Sequence, residues 1–194
     1  MNIIDISREL FSVPAYPGDP VPSKRIVKGF DKEKPDICQL TELTLGSHSG
    51  THIDAPRPFI PGGLDVAHVG LRRAYGRCKV VETATPIELT ADMVDEYTHD
   101  GTKRLLLKGG FEITPESAQR MVDDGIRTIG TEAPTVGGEG TGPIVHRILL
   151  GAEVLIIENL DLSRAKPGDY TLSALPLRMA DLDGSPVRAV LIEE

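Results

Sequence analysis

Short apolar runs separated by polar turn residues dominate the hydrophobic pattern of this chain, which favours strands over helices. Residues 154–157 are apolar throughout and flanked by charged residues, a pattern typical of a strand that is covered on both faces. Further strands are expected at residues 3–6, 38–45, 78–82, 104–107 and 126–130, and at 187–192 after a turn at 183–186.

Two segments, residues 90–97 and 114–122, have helical patterns instead. In the second, Thr114 is a natural N-cap, Pro115 suits the first helical position, and Gly125 provides a C-terminal stop. Because strands outnumber helices, the pattern predicts an α/β fold with a mixed sheet and few helices.

The segment 11–35 differs from the rest of the chain because prolines are frequent and apolar positions follow no regular period. A Pro17-Gly18 pair marks a turn within it. No repeat or low-complexity linker divides the sequence. We therefore interpret residues 1–194 as a single domain in which residues 11–35 form an extended arm, lying over a site or a neighbouring subunit. A mobile surface arm is the alternative.

Composition narrows the range of partners. A net charge of −8, an aromatic content of 4% and the absence of Trp all disfavour nucleic acid. No segment approaches the roughly 20 apolar residues that a membrane helix needs, and the first residues lack a signal-peptide pattern. The two cysteines are too few for a disulfide framework. We expect a cytoplasmic protein that binds a small molecule, with neither nucleic acid nor membrane as a partner.

Two of the five histidines and a carboxylate lie within the segment 48–54. Imidazole nitrogen and carboxylate oxygen are ligands of catalytic zinc and manganese, and three protein donors leave coordination positions open. His48, His52 and Asp54 would share one face of a strand, but four extended residues span roughly 13 Å, too far for both histidines to bind one ion. We therefore predict a bend at Gly50, whose backbone angles are the least restricted.

Other interpretations of these residues stay open. The histidines could fill polar gaps in a core, with Asp54 orienting one of them.

The glycine-rich stretch 137–142 has no Gly-Lys-Ser/Thr after it and is interpreted as a loop near the site, not a phosphate cradle. Arg57 could neutralise a substrate carboxylate, although a solvated arginine is the more common case.

The metal motif and its surroundings resemble the cyclase-like metal-dependent hydrolases, a family that includes bacterial kynurenine formamidases and isatin hydrolases. The resemblance covers nearly the whole chain. The matching segments are residues 4–7, 16–19, 49–56, the helix start at Thr114, and residues 129–130, 146–151, 158–160, 167–170, 174–177 and 183–189.

This resemblance implies a swivelling β/β/α fold, and homodimers or homotetramers in which N-terminal arms help to complete neighbouring sites. It also implies manganese or zinc bound by His48, His52 and Asp54. By the same resemblance, His146 and Glu158 line the catalytic cavity and, in binuclear members, bind a second ion with the shared aspartate. From the residues alone, His146 fits a core or helix-face histidine better than a ligand. Glu158, at the end of a buried strand, fits an active-site carboxylate and a solvated strand end equally well.

The chain departs from the family pattern at several positions. Pro58 stands where the family usually has a histidine that binds the second ion or transfers a proton, and proline can do neither. Tyr16 replaces the tryptophan that kynurenine formamidases tend to have. Glu132 and Thr135 stand where Asp and Ser are common, and the segment 107–112 is short. We therefore do not predict kynurenine formamidase itself.

We predict a metal-dependent hydrolase that cleaves a small amide, cyclic amide or lactone with a metal-activated water. His146 or Glu158 would move the proton, and Arg57 and Tyr16 are candidate substrate-binding residues, with the arm placing Tyr16 near a neighbour's metal. One tightly bound ion and at most a weak second are expected. The alternative is a family member that has lost catalysis and serves as a ligand-binding or assembly protein.

Overall fold

The computed structural model describes residues 1–31 and 35–193. Within them the strands are β1 (Asn2–Asp5), β2 (Ser23–Lys28), β3 (Leu40–Thr44), β4 (His52–Asp54), β5 (Tyr75–Glu82), β6 (Ile87–Leu89), β7 (Arg104–Lys108), β8 (Phe111–Ile113), β9 (Thr128–Thr131), β10 (Leu155–Glu158), β11 (Gly168–Ser173), β12 (Gly184–Pro186) and β13 (Val190–Glu193). The helices are α1 (Leu71–Ala74), α2 (Ala91–Thr98), α3 (Pro115–Asp123) and α4 (Gly142–Gly151), and Val66–His68 forms a 3-10 turn. Among these described helices, none is long and apolar enough to cross a membrane.

A mixed sheet forms the centre of the molecule. Over the described residues its nine strands follow the order β1-β13-β11-β5-β7-β9-β10-β4-β12. Strands β5, β7, β9 and β10 are parallel to one another, and β11 and β4 pair with them antiparallel on either side. The predicted α/β class with a mixed sheet and few helices is confirmed.

The central strands are buried on both faces. On β7, Leu106 packs into the core on one face of the sheet and Leu107 into the core on the other. On β10, Ile157 and Ile156 divide in the same way, and all four residues of the strand are buried. The expectation of a strand covered on both faces at 154–157 is therefore confirmed.

Helix α3 begins as its sequence predicts. Thr114 Oγ1 accepts a hydrogen bond from Ser117 N at 3.1 Å, and Ser117 Oγ accepts one from Thr114 N at 3.0 Å. Pro115 occupies the first helical position, where a missing N–H leaves no bond unmade. Gly125, with φ +71°, follows the end of the helix. The predicted cap and stop are both confirmed.

Three segments differ from the predictions. Residues 184–186 of the segment predicted as a turn form β12 at the sheet edge, a position where proline is tolerated. Part of the predicted arm forms β2 and pairs with β3 as a hairpin, while residues 32–34 of the arm lie outside the described residues. The glycine-rich loop leads into α4, which the sequence pattern did not predict. Strands β11 and β12 were also missed, because their partners are distant in sequence.

Candidate metal centre

A bend at Gly50 brings the two motif histidines together. Gly50 has φ +65°, and the ring centroids of His48 and His52 lie 5.0 Å apart. A Cβ atom at position 50 would lie 2.9 Å from Leu10 Cδ1, so a larger residue would be both strained and crowded. The predicted bend is confirmed, and only after it does the chain become strand β4.

Strand β4 places its side chains against those of β10. It lies between β10 and β12, with His52 opposite Glu158 in the antiparallel register. His52 and Asp54 point to the same face because alternate residues of a strand do so. Helix α4 adds His146 to this face, and all four side chains are buried.

Asp54 belongs to two groups of possible metal ligands, one with His48 and His52 and the other with His146 and Glu158. Its Oδ1 lies 2.8 Å from His48 Nδ1 and 3.5 Å from His52 Nε2. Its Oδ2 lies 3.5 Å from His146 Nε2, which in turn is 3.4 Å from Glu158 Oε1. Within each group the ligand atoms lie within 4.8 Å of one another.

In His52 and His146, Nδ1 already has a hydrogen-bond partner, and this contact orients Nε2 toward the site. His52 Nδ1 lies 2.9 Å from the carbonyl oxygen of Gly50, and His146 Nδ1 lies 2.8 Å from that of Gly142. A carbonyl can only accept, so both Nδ1 atoms donate, and both Nε2 atoms are left as lone-pair donors to an ion. Backbone contacts thereby select the tautomer that metal binding requires.

The donor set fits a divalent metal ion. Among residues 1–31 and 35–193, the buried His52 Nε2 and Asp54 Oδ1 atoms make no hydrogen bond of normal geometry, although each has a polar neighbour within 3.5 Å. Burying such atoms without a hydrogen bond is costly, and a cation between them would remove that cost. Two imidazole nitrogens with one carboxylate oxygen are typical of catalytic zinc and also suit manganese.

Asp183 is a site residue that the sequence interpretation missed. Its Oδ2 lies 3.2 Å from His48 Nε2, and its Oδ1 accepts a hydrogen bond from Ser47 Oγ at 2.7 Å. The next residue, Gly184, leaves room for the imidazole, because a Cβ there would lie 2.9 Å from His48 Cε1. In the sequence, the Asp183-Gly184 pair indicated a turn. The only signal that Asp183 contacts a metal-binding histidine was its place beside a glycine in a segment that matches the family.

The carboxylates shift the proton affinities of the histidines. Burial alone would lower the pKa of His48, but hydrogen bonding and charge from Asp54 and Asp183 raise it to about 9. Burial alone would also lower the pKa of His146, but hydrogen bonds with Asp54 and Glu158 and the charge of Glu158 raise it to about 10. The pKa of Asp54 is lowered, since hydrogen bonds from the histidines outweigh the effect of burial. Without an ion, histidine protons therefore balance the carboxylate charge, and metal binding must release them.

A cavity of about 480 Å³ opens over these donors. Its lining comprises Tyr16, Asp19, His48, His52, Asp54, Pro58, Phe59, Pro134, Thr135, Gly138, Glu139, Gly140, Gly142, Pro143, His146, Glu158 and Asn159. The Phe59 ring stacks on His146 with centroids 4.5 Å apart, next to Pro58. The glycine-rich stretch borders this cavity, as expected of a loop near the site.

Two candidate substrate residues have different positions. Tyr16 lines the cavity of its own chain. The expectation that the arm places it near a neighbour's metal stays a prediction. Its own arm lies close enough to reach the site. Arg57 Nη1 instead donates to Asp181 Oδ1 at 3.0 Å, outside the cavity lining, which does not favour a role with a substrate carboxylate.

Glu132 does not fill the space left by the missing histidine at position 58. Its Oε2 accepts a hydrogen bond from Gly109 N at 2.8 Å, and its Oε1 accepts one from Leu162 N at 2.9 Å. Both carboxylate oxygens therefore hold backbone segments next to the sheet. The apolar Pro58 and Phe59 line the cavity instead, and the Phe59 ring stacks on His146.

Comparisons with known proteins agree with this geometry. A model of the Cyclase family, described as "Putative cyclase", matches residues 4–137. Kynurenine formamidases from Geobacillus thermodenitrificans and Bacillus cereus are 33% and 32% identical to this chain, and each alignment covers 97% of it and 96% of the relative.

Solved structures share the fold. Isatin hydrolase A from Labrenzia aggregata, bound to benzyl benzoate, has a TM-score of 0.84 at 20% identity over 100% of this chain and 94% of that chain. A protein described as a potential metal-dependent hydrolase with cyclase activity has a TM-score of 0.79 at 23% identity, covering 98% and 96% of the two chains.

Proposed function

The chain belongs to the Cyclase family, and from this premise we propose that it is a metal-dependent hydrolase of a small amide, cyclic amide or lactone. The observation that carries the proposal is the donor group of half-buried His48 with buried His52 and Asp54 at the floor of a cavity. Three protein donors leave coordination positions for water and substrate. Amide carbon–nitrogen bonds are the preferred target, because the relatives at 33% and 32% identity are named as formamidases.

His48, His52 and Asp54 would hold the ion, with manganese or zinc as the proposed metal. A bound divalent ion supplies a water of lowered pKa and polarises a substrate carbonyl. Asp54, His146 and Glu158 would hold a second ion less tightly, because the residue at position 58 is a proline and offers no ligand.

His146 and Glu158 are proposed to handle the proton. Amide hydrolysis joins the water oxygen to the carbonyl carbon, breaks the carbon–nitrogen bond and adds a proton to the leaving nitrogen. His146 Nε2 lies within 3.5 Å of both Asp54 and Glu158, which favour a proton on that atom. The stacked Phe59 ring holds the imidazole plane, so the proton is carried at a fixed position.

The cavity walls would keep bulk water from the reacting groups. Pro58, Phe59, Pro134 and Pro143 present apolar surface to the cavity. An apolar wall next to buried donors strengthens electrostatic interactions in the site and suits a substrate with an apolar body. The alternative of a catalytically impaired binding protein has no support, since the relatives are named as enzymes and the donor group of His48, His52 and Asp54 is present.

The direct test combines metal analysis with an activity panel. Purified wild-type protein and His52→Ala are incubated with manganese or zinc, desalted and analysed for bound metal. His99→Ala is the matched control, because His99 is exposed and its Nδ1 contacts the carbonyl oxygen of Glu96. Wild type and control should retain about one ion per chain and hydrolyse a member of a panel of N-formyl amides, cyclic imides and lactones.

His52→Ala should lose both the ion and the activity. Wild-type protein that stays empty after incubation with both metals would contradict the metal site. Wild-type protein that binds the ion but hydrolyses no member of the panel would contradict the hydrolase assignment.

A further inference from the structure

Apart from the histidines at its floor, the charged side chains that line the cavity are all acidic. Of the lining residues, Asp19, Asp54, Glu139 and Glu158 carry carboxylates, and no described lining residue is a lysine or arginine. Arg57, the candidate for an opposite charge that the sequence offered, is paired with Asp181 outside the lining. Above the histidines at its floor, a substrate that enters this cavity therefore meets only negatively charged side chains.

The four carboxylates belong to two different levels of the cavity. Asp54 and Glu158 are buried at its floor, where histidines surround them and a metal ion would balance their charge. Asp19 and Glu139 are exposed, and within the described part of the chain neither side chain has a hydrogen-bond or ion-pair partner. Because neither carboxylate is paired, the negative charges of both can act on a substrate at the exposed opening of the cavity, its mouth.

Asp19 and Glu139 come from separate segments, the N-terminal arm and the glycine-rich loop. Tyr16, from the same arm as Asp19, also lines the cavity and is 51% exposed. Aromatic faces attract cations, and so do carboxylates, so the three side chains have a common preference. The arm and the loop together form an acidic and aromatic mouth.

We propose that this mouth, formed by Tyr16, Asp19 and Glu139, selects substrates that carry a cationic group such as a protonated amine. The inference rests on the proposed hydrolase function and specifies its substrate class. With the reacting carbonyl at the floor, the remainder of a small amide extends toward the mouth. A cationic substituent there is attracted by both carboxylates, whereas an anionic one is repelled.

The charge of the metal does not remove this preference. A divalent ion offsets the two carboxylates at the floor, but the mouth carboxylates belong to segments on the exposed rim and remain uncompensated. In water-like surroundings, a unit charge about 4 Å from one carboxylate changes affinity about fivefold. Two carboxylates acting on a cation rather than an anion should therefore discriminate by about tenfold or more.

Three formanilides that share one reacting amide test the proposal. They carry a 4-aminomethyl, a 4-methyl or a 4-carboxymethyl group, and hydrolysis releases formate and the aniline from each. For the metal-loaded wild type at low salt, kcat/KM should be highest for the cationic member and at least about tenfold lower for the anionic one. The difference should shrink as salt is added.

Paired variants connect the preference to the mouth. Asp19→Asn with Glu139→Gln should bring the cationic and anionic members to within about threefold of each other. Glu88→Gln with Asp92→Asn removes the same charge from exposed positions on β6 and α2, outside the cavity lining, and should leave the ratio unchanged. A wild type that does not distinguish the two charged members, or a mouth variant that keeps the full ratio, overturns the proposal.

A binding measurement separates this inference from the proposed function. Calorimetry with metal-loaded protein compares benzylammonium with benzenesulfonate, neither of which can be hydrolysed. Tighter binding of benzylammonium, weakened in the mouth variant, supports the inference even if none of the formanilides is cleaved. Equal or weaker binding of benzylammonium overturns it even if the neutral formanilide is a good substrate.

Discussion

At the scale of single residues, Asp183 orients His48, because its contact with Nε2 leaves Nδ1 facing Asp54. Asparagine would keep the size of this side chain but lose its charge. We expect Asp183→Asn to weaken zinc affinity about 10- to 100-fold, the usual effect of removing an outer partner of a metal-binding histidine. A competition titration against a chromophoric zinc chelator measures this change.

The control is Asp181→Asn, which removes an exposed carboxylate two residues away that pairs with Arg57. Its zinc affinity should match that of the wild type. Equal losses in the two variants would mean that general surface charge, and not the orientation of His48, determines the affinity.

Pro58 limits the second ion. Pro58→His adds a ligand to the cavity lining that also includes His146, and we expect the affinity for a second manganese ion to rise at least about tenfold. Calorimetric titration gives the affinity of each site. Pro61→His places the same side chain at an exposed position outside the cavity lining and should have no effect. Two equally tight sites in the wild type would contradict the prediction.

The two cysteines should differ in reactivity. Burial raises the pKa of the Cys78 thiol to about 12, against a lowering by Arg104, so at pH 8 it stays protonated and unreactive. Cys38 is exposed. Titration of the native protein with a thiol reagent at pH 8 should therefore modify one thiol quickly, and the second only after unfolding. Rapid modification of Cys78 in native Cys38→Ser protein would contradict this.

At the scale of elements, the turn into β4 depends on the conformation of Gly50. Gly50→Ala forces a side chain into a left-handed conformation and against Leu10, at a cost of about 1 to 3 kcal/mol in the free energy of unfolding. Urea denaturation measures this loss. Metal affinity should also fall, because the separation of His48 and His52 depends on the bend.

Gly62→Ala is the matched control, since Gly62 has φ +74° but open space around it. It should show the backbone cost alone. If Gly50→Ala were no more destabilising than Gly62→Ala, the contact with Leu10 would have no energetic role.

At the scale of the whole molecule, the hairpin of β2 and β3 suggests self-association. Ile26 and Leu43 on it are 56% and 53% exposed, and monomers rarely expose extended apolar surface. We expect a homodimer or homotetramer by light scattering, and a shift toward monomer in Ile26→Lys with Leu43→Lys. Leu71→Lys, at an exposed leucine on α1, is the control. A monomeric wild type would contradict the prediction.

Local features of the sequence determined much of this structure. The Thr114 cap, the apolar strand at 154–157 and the bend at Gly50 depend on neighbouring residues, so their chemistry could be interpreted directly. The donors His48, His52 and Asp54 were identified for the same reason, because they lie within one short segment. His146 and Glu158 needed the family resemblance, since the residues alone allowed other roles.

Only the tertiary structure decided which distant groups meet. The pairing of β12 with β4 places Asp183 on His48, although the sequence around Asp183 has turn chemistry. An ion pair with Asp181 holds Arg57 outside the cavity lining, and the path of the arm brings Tyr16 to its own site. These contacts join residues far apart along the chain, and strand register and side-chain packing fix them, which local composition does not specify.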